Sequence, residues 1–594
     1  MLTGILRHPG LALGIVVAVG SLMAVACGAQ EATPTQPPTA TSTPTSTAAT
    51  PTPTAGSTTA TATTVVAAPT ATPTATPVPS RTVQPKRGGI VKDTNSADPI
   101  SYDPTTTTGG ADNTHNAKMY SSLIWNPDGN DLAPDAAESY SISADGKVWT
   151  FKLRPNIKFQ GGYQPAHPRD GTLMTSRDVK WSLEKTMGLK GDVISPRSGW
   201  MKEFVNIDRP DNGVEIVDDL TLKIHLVQPF GGFANVLSIG YSGLLPDGVL
   251  QKDMQKRPFG SGAFRLKEFQ RGARWTYERN PDYFKPGVPY LDQYQLIIMD
   301  GAAIIQAAFL TGKTDIFGGN PSPDNESVFD KRVKEGQIFL TPRDSGCRPQ
   351  ALNMNSTKPP FDDIRLRKAI NMGIDRKAYT EVVWEGNAVP HLYLETNGIG
   401  RSAEEIMKLP GYRQPHDSDL AEARKIIKEL YPNGLTLTQM VRNTSDYMRQ
   451  GEFLAGNLTQ LGINVTIQLL DATVIFDRAA KLDYTLWSYH FCQTTNTPEE
   501  LFGGYFVTGG SRNWIGYSDP RLDAAYLDMA ATSDPALRKQ KALAMEQTIV
   551  DFMPSAPNPV HTTRRGAYSY VKDLPMTFSS YTWGKGELIW RSDA

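Results

Sequence analysis

Apolar and polar positions divide the chain into three stretches of different character. The first is a nearly unbroken apolar run from Leu11 to Ala26, set behind Arg7 and His8 and ending in small residues just before Cys27. A basic start, a short apolar middle and a small-residue end form the layout of a signal peptide, and the run is too short and too rich in Gly and Ala for a comfortable membrane span. The second stretch, from about Glu31 to Pro85, has no periodicity because it is nearly all Thr, Pro, Ala and Ser. It has almost nothing to bury, and its prolines forbid helix, so it is predicted to be a tether. At roughly 3.1 Å per residue in an extended polyproline state, its reach approaches about 170 Å. A glycosylated stalk is the other reading of this composition.

The third stretch begins after Lys86-Arg87-Gly88-Gly89 and has the even spread of aliphatic and aromatic residues of a globular body, with no internal repeat. Lys147 to Arg154 alternates polar and apolar residues behind an Asp145-Gly146 turn, which predicts a hairpin with one buried face. Thr175 followed by Asp178 predicts a capped helix running to Met187. Further on, Leu366, Ile370 and Ile374 recur at i, i+4 within Arg365 to Val383, and similar amphipathic spacing marks Ser418 to Leu430 and Tyr447 to Leu461. Strands over Asn464 to Leu470 and Tyr484 to Tyr489 alternate with these helices. The fold class expected is α/β, with mixed lobes around a cleft.

Charge and chemistry then narrow the function. Lys plus Arg is 60 against Asp plus Glu 61, so no positive field favours nucleic acid. Of the eight histidines, no two lie three to five residues apart, and no metal site or cofactor is expected. No Gly-x-Ser-x-Gly elbow, Walker loop or Gly-x-Gly-x-x-Gly occurs, and Gly260-Ser261-Gly262 reads as a turn. Asp362-Asp363 and Glu499-Glu500 each stand at the start of a helix, where carboxylates serve the dipole more often than acid–base chemistry. The chain is not expected to be an enzyme. Cys347 and Cys492 form an even pair in an exported protein and are predicted to be bonded, closing a loop of about 145 residues worth roughly 4–5 kcal/mol on the chain-entropy model.

Ala24-Val25-Ala26-Cys27-Gly28 resembles a bacterial lipoprotein box, with alanine at position 24 where leucine is usual. The resemblance implies diacylglycerol on Cys27 and a place on the outer face of the cytoplasmic membrane, held by acyl burial alone. A wider resemblance runs across most of residues 87 to 594. It is carried by Leu132-Ala133-Pro134-Asp135-Ala136-Ala137-Glu138-Ser139, Ser143 to Arg154, Ile157-Lys158-Phe159 and Ser176-Arg177-Asp178-Val179. Farther along it includes Gly260 to Phe264, Arg279-Asn280-Pro281-Asp282-Tyr283-Phe284, Pro360 to Ile370 and Ile374-Asp375-Arg376. In this order the motifs resemble the peptide/nickel class of periplasmic solute-binding proteins, family 5, which includes the oligopeptide- and dipeptide-binding receptors of ABC importers.

That resemblance implies a three-lobed fold, two lobes hinged around a cleft and a third elaborating the first. The expected division is a signal peptide over 1–26, a tether over 27–86 and a solute-binding domain over 87–594. Within the domain, the lobes expected are I over 87–125, 240–345 and 566–594, II over 126–239, and III over 346–565. The cysteine pair looks like the disulfide of the oligopeptide-binding branch. In that branch an aspartate two residues beyond the second cysteine receives a peptide's amino group, and here Thr494 stands there. A hydroxyl is a poor partner for a buried ammonium, so the ligand expected is an oligopeptide or a neutral, oligosaccharide-like solute. Pocket candidates are Trp487, Tyr489, His490 and Thr494, with Tyr102 and Tyr120 from the first lobe. The partner expected is a permease–ATPase complex, served by a monomer. A secreted hydrolase and a surface sensor without transport are the rival readings.

Overall fold

Alternation becomes structure first in the hairpin. In the computed structural model, Val148–Leu153 pairs antiparallel with Ala137–Ile142 and with Thr221–His225, and Trp149, Phe151 and Leu153 all turn to one buried face. Each such large apolar side chain taken from water contributes about 1.5–3 kcal/mol. Val214–Asp218 completes a four-stranded antiparallel sheet, the frame of the second lobe. The helix Ser176–Thr186 packs on it behind the predicted capping box: Asp178 Oδ2 accepts from Thr175 N at 2.7 Å and from Thr175 Oγ1 at 3.0 Å. The structure describes residues 84–594 apart from 108–109, 128–131, 196–197, 345–346, 396–397, 493–496, 511, 533 and 576–583. The signal peptide, Cys27, nearly all of the tether and Thr494 lie outside the described residues.

The first lobe is assembled from distant pieces of chain. Ile90–Asn95 runs parallel to Gln293–Ile298, which pairs antiparallel with Arg274–Arg279 and so reaches Phe264–Gln270. Beside them Ile316–Gly319 and Ile338–Asp344 flank Val560–Tyr568, all antiparallel. The Gly260-Ser261-Gly262 turn has a packing role here, because a Cβ on Gly260 would lie 1.8 Å from Met119 O and one on Gly262 2.5 Å from Met119 C.

The third lobe holds a five-stranded sheet in the order Ile463–Leu470, Leu435–Arg442, Leu486–Cys492, Cys347–Met354, Ser555–Asn558. Its first three strands are parallel, and helices cover both faces. Two expected elements differ in detail. The helix expected over Arg365 to Val383 is two helices, Ile364–Gly373 and Arg376–Trp384, because Ile374 is extended and Asp375 caps a new start, its Oδ1 accepting from Lys377 N at 3.1 Å and Ala378 N at 3.0 Å. The strand expected over Tyr484 to Tyr489 begins at Leu486 and runs on to Cys492. Asp363 caps its helix as expected, accepting from Arg365 N at 2.8 Å. Glu499 and Glu500 do open the helix Pro498–Tyr505, but both are buried and each meets an arginine, Glu499 with Arg538 and Glu500 with Arg512. Among the described residues, no helix is long and apolar enough to cross a membrane.

Candidate ligand-binding cleft

Two strands carry the chain between the first and third lobes. Ile338–Asp344 and Val560–Tyr568 lie side by side in the first lobe, out to the pair Asp344↔Thr562, so residues 560–565, expected in the third lobe, belong to a first-lobe strand. Their continuations, Cys347–Met354 and Ser555–Asn558, pair again in the third lobe from Gln350↔Asn558. The parallel strands Leu435–Arg442 and Leu486–Cys492 end at this same edge, where Cys347 and Cys492 are direct partners in the register. The side chains of both cysteines lie outside the described residues. In open α/β sheets the crevice beyond the carboxyl ends of the strands is where ligands sit.

Strand alternation separates the predicted pocket residues. Trp487, Tyr489 and Phe491 point to one face of the sheet, and Ser488 and His490 to the other. Trp487 and Tyr489 stack at 4.3 Å and meet Trp514 at 5.8 and 5.5 Å, forming an aromatic layer in which Trp487 is 1% and Tyr489 7% exposed. Asn353, the register partner of Trp487, is buried there, and its side-chain amide bonds to none of the described residues. Tyr102 and Tyr120 belong to the core of the first lobe. Tyr120 donates its hydroxyl to Tyr102 O at 2.5 Å and accepts from Phe259 N at 3.2 Å, while Tyr102 packs edge-on against Trp275.

On the opposite face His490 is the centre of a neutral polar network. Its ring stacks on Tyr447 at 4.3 Å, and Nε2 lies 2.7 Å from Gln450 Oε1, which can only accept, so the proton is on Nε2. The Tyr379 hydroxyl lies 3.1 Å from the same oxygen and 3.2 Å from Gln350 Oε1, to which Trp384 Nε1 donates at 2.9 Å. Trp384 in turn stacks on His561 at 4.4 Å. His561 Nε2 is 3.3 Å from the side-chain nitrogen of Asn320, which also donates to Thr562 O at 2.8 Å. The network therefore reaches the crossover strand that joins the lobes.

Burial drives both imidazoles down to about 4. For His490, Asp446 opposes that shift and His561 and Arg442 add to it; for His561, Arg449 adds and Asp446 opposes. Both rings are neutral at neutral pH. Arg442 lies over the Tyr447 ring and Arg449 over the Trp384 ring, each at 5.8 Å. An amide cannot relay a proton away from His490, so the arrangement offers hydrogen bonds, ring faces and guanidinium groups for non-covalent recognition.

Of this network the sequence singled out His490 alone. Gln350, Tyr379, Trp384, Gln450 and His561 are scattered over some 200 positions, and no spacing links them. One cluster elsewhere has ligand-like composition: Asp211, Glu215 and His225 lie together on the second lobe. Arg209 already grips Asp211 through Nε at 3.1 Å and Nη2 at 2.9 Å, and Lys223 is 3.3 Å from Glu215, so two cations balance its two carboxylates.

Comparison with known proteins gives a consistent result. The family model described as "Bacterial extracellular solute-binding proteins, family 5 Middle" matches residues 131–513. The glutathione-binding protein GsiB of Escherichia coli strain K12 is 26% identical over 438 residues, covering 71% of this chain and 79% of that protein. The periplasmic binding protein DppA from Helicobacter pylori, solved with the peptide STSA, superposes with a TM-score of 0.70 at 20% identity, covering 85% of this chain and 98% of that one. AgaA from A. tumefaciens R10, solved with agropinic acid, gives 0.68 at 22% identity, covering 85% and 99%.

Proposed function

The chain belongs to the bacterial extracellular solute-binding proteins of family 5, and on that premise we propose that it captures a small solute between its first and third lobes and hands it to an ABC importer. The observation that carries this reading is the sheet edge at the crossover strands, where the carboxyl ends of parallel strands meet a buried, uncharged set of hydrogen-bonding and aromatic groups. The chain passes between these lobes along two neighbouring strands, about which the lobes can swing, and a ligand that touches both favours the closed arrangement. The similar proteins are described with a tetrapeptide, with agropinic acid and with glutathione.

The ligand class proposed is an oligopeptide or a neutral, oligosaccharide-like solute. Trp487, Tyr489, His490 and Thr494 are its proposed contacts, with Tyr102 and Tyr120 from the first lobe. Lipid on Cys27 and the tether behind it hold the protein on the outer face of the cytoplasmic membrane, as a monomer, and a Cys347–Cys492 disulfide closes the edge of the sheet. Native mass spectrometry of the protein extracted from its membrane tests the ligand. A co-purifying ladder of peptide masses selects the first class, hexose spacing the second, and small-angle scattering curves that ignore any saturating ligand overturn hinged closure. The intact mass reports the lipid, and thiol titration of the unfolded protein, before and after reduction, reports the disulfide.

A further inference from the structure

The second lobe has no peptide link to the third. Its sheet, from Ala137–Ile142 to Thr221–His225, stands in the chain between Ile90–Asn95 and Phe264–Gln270 of the first lobe. Every contact between the second and third lobes is therefore one that hinged motion can separate.

At that seam the turn Phe230-Gly231-Gly232-Phe233 enters the third lobe. Gly231 N donates to Ala530 O at 3.1 Å, and Ala530 is buried in the same apolar cluster as Phe230 and Phe233, with Phe230 stacked on Phe204 at 4.2 Å. Beneath the turn lies Glu499, 0% exposed, paired through Oε1 with Arg538. Its other oxygen, Oε2, and Arg538 Nε are buried and bond to no other described residue. A Cβ on Gly232 would lie 3.1 Å from that oxygen and 3.0 Å from the Phe230 ring. Gly232 has φ −84° and ψ 2°, which any L-residue can adopt, so glycine supplies room here and not backbone freedom.

The materials suit a contact that opens. An apolar plug favours the seated turn, whereas a buried ion pair with one unsatisfied atom on each partner favours parting, because both atoms regain water when the lobes separate. We propose that this seam is a closure latch, in which the Phe230–Gly232 turn seated over the Glu499–Arg538 pair sets how much of the ligand-free protein is closed. Gly232 and Glu499 are then affinity-setting residues outside the cleft, since apparent affinity scales with the fraction of the protein in the competent state. The inference rests on the closure reading above.

Hydrogen exchange of the ligand-free full chain tests it in a graded series, Gly232→Ala and Gly232→Val. Overpacking a contact by one methyl is expected to raise exchange at 230–233 and at the start of the Pro498–Tyr505 helix by roughly tenfold, and by more for valine. The strands Val148–Leu153 and Leu435–Arg442 report the two lobe cores in the same experiment and are expected to keep wild-type protection. Exchange at the seam that is unchanged in both variants overturns the latch. So does loosening of seam and cores together, which makes Gly232 a packing residue of one rigid body. Because no ligand is added, failure here leaves the scattering test of closure untouched. Wild-type scattering that ignores ligand removes closure without explaining away a graded opening of the seam.

Discussion

Asp135 and His490 are both buried polar side chains at places where lobes meet, yet their surroundings are built from opposite materials. Asp135 lies at the joint of the first and second lobes, where it accepts from Ser122 N at 2.9 Å and meets Lys285 at 2.7 Å and Lys585. Lys285 also reaches Glu587 at 3.0 Å, and both ammonium groups sit over the face of Trp125, at 4.4 and 5.6 Å. Among the described residues two anions and two cations balance there. Around His490 the hydrogen-bonding partners among the described residues are amides, a phenol and an indole, while the guanidinium groups of Arg442 and Arg449 lie over the Tyr447 and Trp384 rings. Buried ions are tolerable only with permanent partners. Neutral groups lose little on trading a water for a ligand. Charge is used at the joint that holds two lobes together, and neutral hydrogen-bonding groups at the proposed ligand site.

Removing Asp135 is the strongest way to break that contrast. Asp135→Ala leaves two ammonium groups facing each other in a dry site and is expected to cost about 3–5 kcal/mol in urea unfolding; a loss below about 1 kcal/mol would mean that the joint does not depend on its ions. Acid separates the two sites next. His490 and His561 have folded-state values near 4 against an ordinary 6.5, so between those pH values the unfolded chain binds more protons. Stability is therefore expected to fall as pH drops from 6.5 toward 4, by about 3 kcal/mol for each of the two histidines. Burial raises the Asp135 carboxyl, but Lys285 and Lys585 outweigh it and hold it well below the usual carboxylate range. Its contribution is present above the unfolded value of 3.8 and is lost only as pH falls toward the lower folded value. Replacing both histidines with glutamine is expected to make the curve shallower between pH 4 and 6.5, with the remaining slope that of His115, which burial also drives down to about 4, and to leave the lower limb in place.

Much of this fold is legible in the chain because its signals are local. The alternation of Val148 to Leu153 and the Thr175–Asp178 cap need no partner to be recognised. The α/β order of the second half follows from amphipathic runs such as Tyr447 to Leu461. The break at Ile374-Asp375 is harder to see, because the i, i+4 row of Leu366, Ile370 and Ile374 continues through it while the capping aspartate ends the first helix. The cleft was legible only in part. Trp487, Tyr489 and His490 are neighbours in sequence, but a period of two puts them on opposite faces of the sheet. The partners of His490 come from 350, 379, 384, 450 and 561, and only the pairing of strands brings them to one edge. Glu499 read as a helix-dipole carboxylate because its burial depends on Arg538 and on a turn of another lobe.

The finest test of the contrast is Tyr379→Phe. Its hydroxyl stands between Gln350 and Gln450, but each of those oxygens keeps a second donor, Trp384 Nε1 at 2.9 Å and His490 Nε2 at 2.7 Å. Deleting one member therefore leaves no buried acceptor empty, and the expected loss is that of a single neutral hydrogen bond, about 0.5–1.5 kcal/mol by urea unfolding. A double variant with His490→Gln sharpens the result. If the network shares its strain between members, the paired loss differs from the sum of the single losses, as coupled neighbours require. A loss above about 3 kcal/mol from Tyr379→Phe alone would make the neutral site as brittle as the ionic one, and the division of labour between charge at the joint and neutrality at the cleft would not hold.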